Sequence, residues 1–293
     1  MGHWLQGHDD IREGALWHGD GLGMVRALAA ACRPIQLLFA SPPYNVGRSY
    51  ERRVPYNDYV AWQREVLTGC VSHLAPGGSV IWQVGMWIDP QGGVHPLDMP
   101  IFTILTELGL KPRNRIVWTV GHGLHATHRL SGRHETLVWF QRPSDAGAYP
   151  FYLDDVRVPQ RYPAKRHYKG PHKGELSCHP LGKNPGDTWD DIPQVKASHV
   201  ERTGHPAQMP LALAERAILM TTREGDLVVD PFAGACTTVV AARMHNRLAA
   251  GADLKDEYLA LGARRLEQLR DGTLPHRPAG KPKVPDGRPR AAA

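Results

Sequence analysis

Short apolar runs alternate with longer amphipathic segments along most of this chain, and this alternation restricts its fold more than any other feature. Ile35–Ala40 is a nearly continuous apolar run, typical of a strand that is covered on both faces. Residues 56–74 follow with the apolar spacing of a helix, and the turn Pro76-Gly77-Gly78 precedes a strand at residues 79–84. The repetition of such units predicts an α/β domain.

The rest of the chain shows the same patterns on either side of an irregular region. Helices are predicted over residues 99–108, 209–222, 237–245 and 255–269. Strands are predicted over residues 115–120, 135–141, 227–229 and 248–252, and the first two are expected to form an antiparallel pair. From residue 144 to 205, proline, glycine, histidine and basic residues dominate, which is typical of a functional loop region or of disorder.

Positive charge is concentrated in two parts of the chain, whose net charge is +6. Between residues 157 and 183 there are seven Lys or Arg and one acidic residue, Glu175. This distribution suits a polyanionic partner, although a solvated loop would have a similar composition. A second basic stretch, at residues 270–290, contains five prolines and has little to bury, which predicts a disordered tail.

The sequence argues against a membrane or secreted protein, and against a disulfide framework or a metal site. No stretch approaches the roughly 18 apolar residues of a membrane span, and no secretory signal is visible, so we expect a cytoplasmic protein without membrane partners. The four cysteines form no CxxC pair, which argues against a disulfide framework and a cysteine-rich zinc site. His167, His172, Cys178 and His179 lack paired ligand spacing, so we expect no metal.

A candidate cofactor loop runs from Asp230 to Thr238, between a predicted strand and a predicted helix. Gly234 would let a ligand approach the backbone, and the helix N-terminus at Thr237 offers free N–H groups to a carboxylate. Asp253 ends the next strand, where an acid can accept hydrogen bonds from ribose hydroxyls. The single glycine is also compatible with simple turn chemistry, and it favours a cofactor with a carboxylate over NAD.

A candidate catalytic tetrapeptide, Ser41-Pro42-Pro43-Tyr44, directly follows the strand Ile35–Ala40. The two prolines restrict the backbone, so the Ser41 hydroxyl and the Pro42 carbonyl are held as acceptors for the two protons of an exocyclic amine. Such hydrogen bonds would aim the nitrogen lone pair at a methyl donor. Tyr44 would offer a stacking face to a base flipped from a duplex. The simpler alternative is a proline-rich turn with a surface tyrosine.

Several segments occur together and in order over residues 18–266. They are His18-Gly19-Asp20, residues 41–45, 74–78, 133–139, 186–189, 205–208 and 230–238, and Asp253. In this order the chain resembles the bacterial DNA amino-methyltransferases that modify cytosine N4 or adenine N6, in the permuted, beta-class arrangement with the catalytic motif before the cofactor motif.

The resemblance implies a doubly wound, mostly parallel sheet of the seven-stranded, Rossmann-like methyltransferase type. It implies a catalytic half at residues 1–143, an inserted target-recognition region at 144–204, the cofactor-binding half of the same domain at 205–270, and a disordered basic tail at 271–293. It also implies S-adenosylmethionine as the methyl donor and double-stranded DNA as the substrate.

By matching positions, the resemblance assigns catalysis to Ser41, Pro42, Pro43 and Tyr44. The residues expected at the cofactor are Asp20, Asp230, Phe232, Ala233, Gly234, Cys236, Thr237 and Asp253, with residues 205–208 nearby. Cys236 stands where the family usually has glycine, so we expect it either to crowd the cofactor or to require a turn with negative φ.

The residues expected to bind DNA are Arg52, Arg53, Arg161, Lys165, Arg166, Lys169 and Lys173. Serine at the first position of the tetrapeptide favours cytosine N4, in a site-specific enzyme of restriction-modification type. The alternatives are an adenine-N6 or RNA methyltransferase and a non-catalytic DNA-binding regulator on the same scaffold. A homodimer and a cognate restriction endonuclease remain open as partners.

Overall fold

The computed structural model describes residues 2–31, 33–121, 125–278 and 280. Within these ranges, nine strands form one sheet. They are β1 (His3–Trp4), β2 (Ala15–His18), β3 (Ile35–Ala40), β4 (Leu74–Val84), β7 (Lys111–Thr119), β8 (His134–Gln141), β9 (Thr188–Trp189), β10 (Leu227–Asp230) and β11 (Leu248–Asp253). A separate hairpin consists of β5 (Met86–Ile88) and β6 (Val94–Pro96).

The centre of the sheet is parallel. The spatial order is β1-β2-β11-β10-β3-β4-β8-β7-β9, and the five strands from β2 to β4 all run in the same direction. β8 runs antiparallel to both β4 and β7, which confirms the predicted antiparallel pair. Because the five parallel strands share a direction, their carboxyl ends lie along one edge of the sheet.

Helices cover both faces of the sheet. On one face lie α1 (Gly21–Ala30), α2 (Tyr56–Val71) and α3 (Asp98–Glu107), and on the other lie α4 (Leu211–Thr221), α5 (Thr237–Met244) and α6 (Asp256–Arg270). Leu38 of β3 packs into the first layer and its neighbour Leu37 into the second, because successive strand side chains point to opposite faces. The structure thus confirms the predicted α/β, doubly wound, mostly parallel fold.

The predicted boundary between α2 and β4 was wrong. The helix ends at Val71, and Leu74 already pairs with Ile35 as the first residue of β4. The segment Pro76-Gly77-Gly78 lies inside this strand, at an irregularity in its pairing with β3. A proline and two glycines are tolerated there because a bulge releases the local ladder geometry.

The first 34 residues hold elements that the sequence patterns did not reveal. β2 is a four-residue, largely buried strand, and α1 follows after the helix cap Asp20, whose carboxylate accepts a hydrogen bond from the Gly23 N–H. Gly21 starts this helix in close contact with Pro231, where a Cβ atom would overlap. β2 is too short for periodicity to give much signal, and two glycines in the first turn of α1 weaken its helical pattern.

The irregular region is anchored to the sheet at its end. Trp189 of β9 is fully buried, and the Trp118 indole donates to the Ile192 carbonyl at 2.9 Å. The start of disorder expected at residue 271 is too early, because His276 contacts Glu215 at 3.1 Å and the Arg277 N–H donates to Glu201 at 3.0 Å. Residues 279 and 281–293 of that tail lie outside the described residues.

Among the helices in the described ranges, none combines the length and the apolar character needed to cross a membrane.

Candidate active site

The carboxyl ends of four adjacent parallel strands bring together residues that are far apart in the sequence. Ser41 follows β3, the cofactor loop follows β10, Asp253 ends β11, and Asp20 lies two residues beyond β2. β3 and β10 are direct neighbours, with Leu37 opposite Val228. The sheet therefore places the tetrapeptide beside the cofactor loop.

Two carboxylates hold the cofactor loop in shape. The Asp230 side chain accepts hydrogen bonds from the Phe232 N–H at 3.0 Å and from the Thr238 hydroxyl at 2.6 Å. Asp253 accepts from the Gly234 N–H at 3.0 Å and from the Lys255 N–H at 2.9 Å. Each acid thus orders the loop backbone that would face a ligand.

The same two acids make the site favourable for a cation. Asp230 is 2% exposed, and burial raises its pKa to about 7; burial also raises the pKa of Asp253. In the described part of the chain, neither carboxylate forms a salt bridge. A ligand with a positive charge near the two carboxylates would offset the cost of burying them.

Cys236 does not adopt the turn with negative φ, which was one of the two expectations made for it. Its φ is +56°, so the left-handed conformation of a glycine is kept and the expected negative-φ turn is wrong. The side chain is buried against Gly262 of α6, where a Cβ atom would overlap with the Cys236 sulfur. Burial also raises the pKa of this thiol, which disfavours the nucleophilic thiolate. Gly262 therefore provides the space that the larger side chain needs.

His205 lies against the cofactor loop at Gly234. A Cβ atom on Gly234 would lie 3.1 Å from the His205 Nε2, and the imidazole ring lies 4.3 Å from the Tyr258 ring, centroid to centroid. Burial, and to a lesser extent the charge of Lys255, lowers the pKa of His205 to about 4. The ring is therefore neutral near pH 7.

Side chains from the sheet fix the tetrapeptide hydroxyls. The Ser41 Oγ lies 2.9 Å from the Tyr44 hydroxyl, which donates to the Glu135 carboxylate, also at 2.9 Å. The Gln83 side-chain amide donates to the same carboxylate oxygen at 2.6 Å. The sequence motif at residues 133–139 includes Glu135 but predicts no role for it. An acid just before the apolar run at residues 137–140 was the signal that could have identified it.

The backbone of the tetrapeptide is fixed by a second, buried chain of hydrogen bonds. The Tyr59 hydroxyl donates to the Pro43 carbonyl at 2.9 Å, and Gln63 donates to the Tyr59 oxygen at 3.1 Å. The Trp82 indole completes this chain by donating to Gln63 at 3.0 Å. None of the described residues donates a hydrogen bond to the Pro42 carbonyl, so that oxygen is free to accept one.

The loop that follows the tetrapeptide is closed by its own side chains. Asn45, at φ +60°, exchanges two hydrogen bonds with the backbone of Val54, at 2.7 and 2.8 Å. Glu51 accepts from the backbone N–H of Asn45 at 2.7 Å. The two arginines expected at DNA, Arg52 and Arg53, are both exposed, and Arg53 also donates to the Ile88 carbonyl at 2.6 Å. Both side chains therefore lie at the surface of this loop.

The other basic residues expected at DNA lie on an exposed segment. Residues 165–177 fold back on themselves through a bridge between Arg166 and Leu176. Tyr162 and Tyr168 are 65% and 77% exposed. The exposed basic side chains on this segment and just before it are Arg161, Lys165, Arg166, Lys169 and Lys173. The folded-back segment thus presents positive charge and aromatic rings to solvent.

Aromatic rings surround Phe232, another residue expected at the cofactor. Phe232 is partly buried and packs edge-on against Trp62 at 5.4 Å and Trp82 at 5.9 Å, centroid to centroid. These two tryptophans come from α2 and β4, on the tetrapeptide side of the site. Phe232 therefore links the cofactor loop to the elements that hold the tetrapeptide.

Comparison with known proteins gives consistent matches. A family model described as DNA methylase matches residues 35–264. The chain is 44% identical over 244 residues to the type II methyltransferase M.BglII from Bacillus subtilis, covering 83% of this chain and 66% of that protein. It is 30% identical over 254 residues to the DNA adenine methyltransferase YhdJ of Escherichia coli (strain K12), covering 85% and 81%.

A solved structure is also similar. TTHA0409 from Thermus thermophilus, in complex with S-adenosyl-L-methionine, aligns with a TM-score of 0.59 and 25% sequence identity. The alignment covers 86% of this chain and 92% of that one.

The packing of Cys236 on Gly262 leads to a test by stability. We expect Gly262→Ala to lower the free energy of unfolding by about 1–2 kcal/mol, because overlap with the sulfur outweighs the better helix propensity of alanine. In the double variant Cys236→Gly/Gly262→Ala, the sulfur is absent and glycine carries the positive φ of position 236. Most of the lost free energy of unfolding should therefore be recovered. Urea unfolding of both variants and of Cys236→Gly measures this coupling. A double variant as unstable as Gly262→Ala would contradict the packing relation.

Proposed function

The chain belongs to the DNA methylase family, and on that premise we propose that it transfers a methyl group from S-adenosylmethionine to the exocyclic N4 amine of cytosine in double-stranded DNA. We assign it to site-specific enzymes of restriction-modification type. The observation that carries the proposal is the pairing of β3 with β10, since it sets an acceptor pair for an amine beside a loop suited to a cationic cofactor.

The cofactor loop fits S-adenosylmethionine by its chemistry. This donor carries an ammonium and a sulfonium, and Asp230 of the loop and Asp253 of β11 supply two carboxylates without a salt bridge among the described residues. The donor's carboxylate suits the free N–H groups where α5 begins, at Thr237. Asp253 is proposed for the ribose, and the similarity to a structure that contains this donor supports the choice. When bound, the donor supplies an electrophilic methyl group.

The tetrapeptide would prepare the amine for attack. The Ser41 hydroxyl and the free Pro42 carbonyl accept its two protons, which draws the nitrogen toward tetrahedral geometry and directs its lone pair. The Tyr44 ring has the partly buried position in which it could also stack on a flipped base. The methyl transfer then needs no covalent intermediate with the protein.

The choice of cytosine over adenine rests on Ser41. Within the family, aspartate or asparagine at this position is more usual for adenine N6. Adenine N6 remains the second candidate, because the chain is similar to an adenine methyltransferase over most of its length. Both bases carry an amine with two protons, so the acceptor pair alone does not separate them.

We propose residues 144–204 as the target-recognition region. Its exposed basic side chains suit phosphate contacts, which give affinity, and its aromatic rings suit stacking on bases. Arg52 and Arg53, both exposed, join this proposed DNA surface, and Arg53 also contacts Ile88 and Trp87.

The identity of the modified base can be measured directly. We expect purified protein to transfer labelled methyl groups to unmodified genomic DNA, and nuclease digestion with mass spectrometry to give 4-methylcytosine. Ser41→Ala should lower kcat by about 100-fold while cofactor affinity stays within a factor of two or three, because the lost acceptor acts on the amine. Ser72→Ala, an exposed serine at the end of α2, is the matched control. Only 6-methyladenine in the digest would overturn the choice of base.

Cofactor affinity should depend on pH through Asp230. Its raised pKa of about 7 means that a cationic donor binds better as this carboxyl ionises, so affinity should rise between pH 6 and 8. Without donor, the contribution of Asp230 to stability is complete below pH 3.8 and is lost as the pH rises through about 7.

Isothermal titration with S-adenosylmethionine checks this in wild type, in Asp230→Asn and in the surface control Asp154→Asn. Asp230→Asn should bind more weakly at pH 8 and lose most of the pH dependence. An unchanged pH dependence in Asp230→Asn would assign the effect to another group.

The DNA surface should be visible in the salt dependence of binding. Replacing Lys165, Lys169 and Lys173 by alanine should reduce the slope of log K against log salt by about 0.9 for each lost phosphate contact. Arg12 and Arg64, which pair with Asp10 and Glu107, supply control variants that each remove one positive charge, as each single lysine variant does. Equal slopes for the lysine variant and wild type would remove this segment from the DNA surface.

A further inference from the structure

Glu135, near the start of β8, is the end point of a hydrogen-bond chain that begins at the tetrapeptide. The chain runs from the Ser41 hydroxyl to the Tyr44 hydroxyl and on to the Glu135 carboxylate, with both oxygen–oxygen distances at 2.9 Å. Glu135 lies outside the tetrapeptide in sequence and reaches it only because β8 pairs with β4. It has no role in the function proposed above.

Counting the available protons shows which group donates and which accepts at each step of this hydrogen-bond chain. An ionised carboxylate only accepts hydrogen bonds, so Tyr44 must use its single proton to donate to Glu135. The Tyr44 oxygen is then the acceptor, and Ser41 must use its single proton to donate to Tyr44. The Ser41 oxygen is therefore left with lone pairs alone on the side that faces a substrate.

Neighbouring residues fix the geometry of the chain. Gln83 is 3% exposed and donates to the Glu135 oxygen that also receives the Tyr44 proton. Gly85 lies under the Tyr44 ring, where a Cβ atom would come within 3.0 Å of the ring carbon Cδ2. Burial, and then the charge of Glu135, raises the pKa of Tyr44, so its hydroxyl keeps its proton near neutral pH.

We propose that Glu135 is a positioning residue for methyl transfer, which acts through Tyr44 to make the Ser41 oxygen an obligatory acceptor and to receive the proton that the amine releases. This inference rests on the proposed function, because it concerns the fate of the amine protons in that reaction.

The reaction balances along this path. The amine nitrogen forms a bond to the methyl carbon with its lone pair, and the carbon–sulfur bond breaks with its electron pair going to sulfur. The nitrogen is then positively charged and releases one proton to the Ser41 oxygen. Ser41 passes its own proton to Tyr44, and Tyr44 passes its own to Glu135, which becomes a carboxylic acid. Release of that proton to water and rotation of the Ser41 and Tyr44 hydroxyls restore the hydrogen-bond chain for the next turnover.

The direction of the hydrogen-bond chain also predicts which target base binds more tightly. An oxygen that can only accept favours an amine and disfavours a carbonyl oxygen at the same position. DNA with uracil in place of the target cytosine should therefore bind more weakly than the cytosine duplex. In Glu135→Gln, the amide can donate to the Tyr44 oxygen, which reverses the chain and lets Ser41 present its proton to the base.

A double-mutant cycle tests the proposal. We expect Tyr44→Phe and Glu135→Gln each to lower kcat by about 100-fold, with Kd for S-adenosylmethionine within a factor of three of wild type. The double variant should be no slower than the worse single variant, since both changes interrupt one chain. Glu135→Asp should recover part of kcat, because it restores a carboxylate at a longer distance.

Binding gives a second readout that is independent of turnover. The preference for cytosine over uracil at the target position, measured as a ratio of Kd values, should fall in Glu135→Gln and persist in Glu107→Gln. Glu107 is an exposed acid on α3 that pairs with Arg64. If Glu135→Gln fails to fold by circular dichroism, Tyr44→Phe and Glu135→Asp provide the same comparison.

The outcomes separate this inference from the proposed function. Wild-type protein that transfers no methyl group would overturn the proposed function and this inference with it. Active wild type together with an unchanged kcat in Glu135→Gln, or with losses that multiply in the double variant, would overturn only the role of Glu135. If the double variant loses no more kcat than the worse single variant, and the preference for cytosine over uracil falls, the role of Glu135 is supported.

Discussion

The backbone hydrogen bonds between β3 and β10 join two parts of the chain that are far apart in sequence, and the site depends on them. Leu37 and Leu38 lie opposite Val228 and Val229, so the tetrapeptide and the cofactor loop leave the sheet side by side. A one-residue slip would turn the alternating side chains of β3 to the wrong helical layers. The register of one short parallel pair thus fixes both the core and the relative position of the two motifs.

Around this pair, the protein uses carboxylates for two different purposes. Asp230 and Asp253 are buried or half-buried acids that order a loop and keep negative charge where a cationic ligand would bind. Glu135 accepts from Tyr44 and Gln83 and sets the direction of hydroxyl protons. In both cases the cost of burying charge is met by hydrogen bonds that also define a chemical function.

Rigid backing for the tetrapeptide comes from α2 and β4. Trp82 and Gln63 support Tyr59, which fixes the Pro43 carbonyl, while the Pro42 carbonyl stays free. The prolines limit the backbone, and these hydrogen bonds select one of the arrangements that the prolines allow. The result is an acceptor pair whose geometry is set before a substrate arrives.

The sequence by itself determined the α/β class, the site motifs at strand ends, and most helices and strands with long periodic patterns. It did not reveal β2, which is too short for a clear period, or α1, whose first turn contains two glycines. It extended α2 past Val71 because Pro76-Gly77-Gly78 reads as a turn. Only the tertiary structure decided that Cys236 keeps a glycine-like φ beside Gly262, and that Glu135 completes the chain from Ser41. Those relations depend on contacts between distant segments, which local pattern and propensity do not encode.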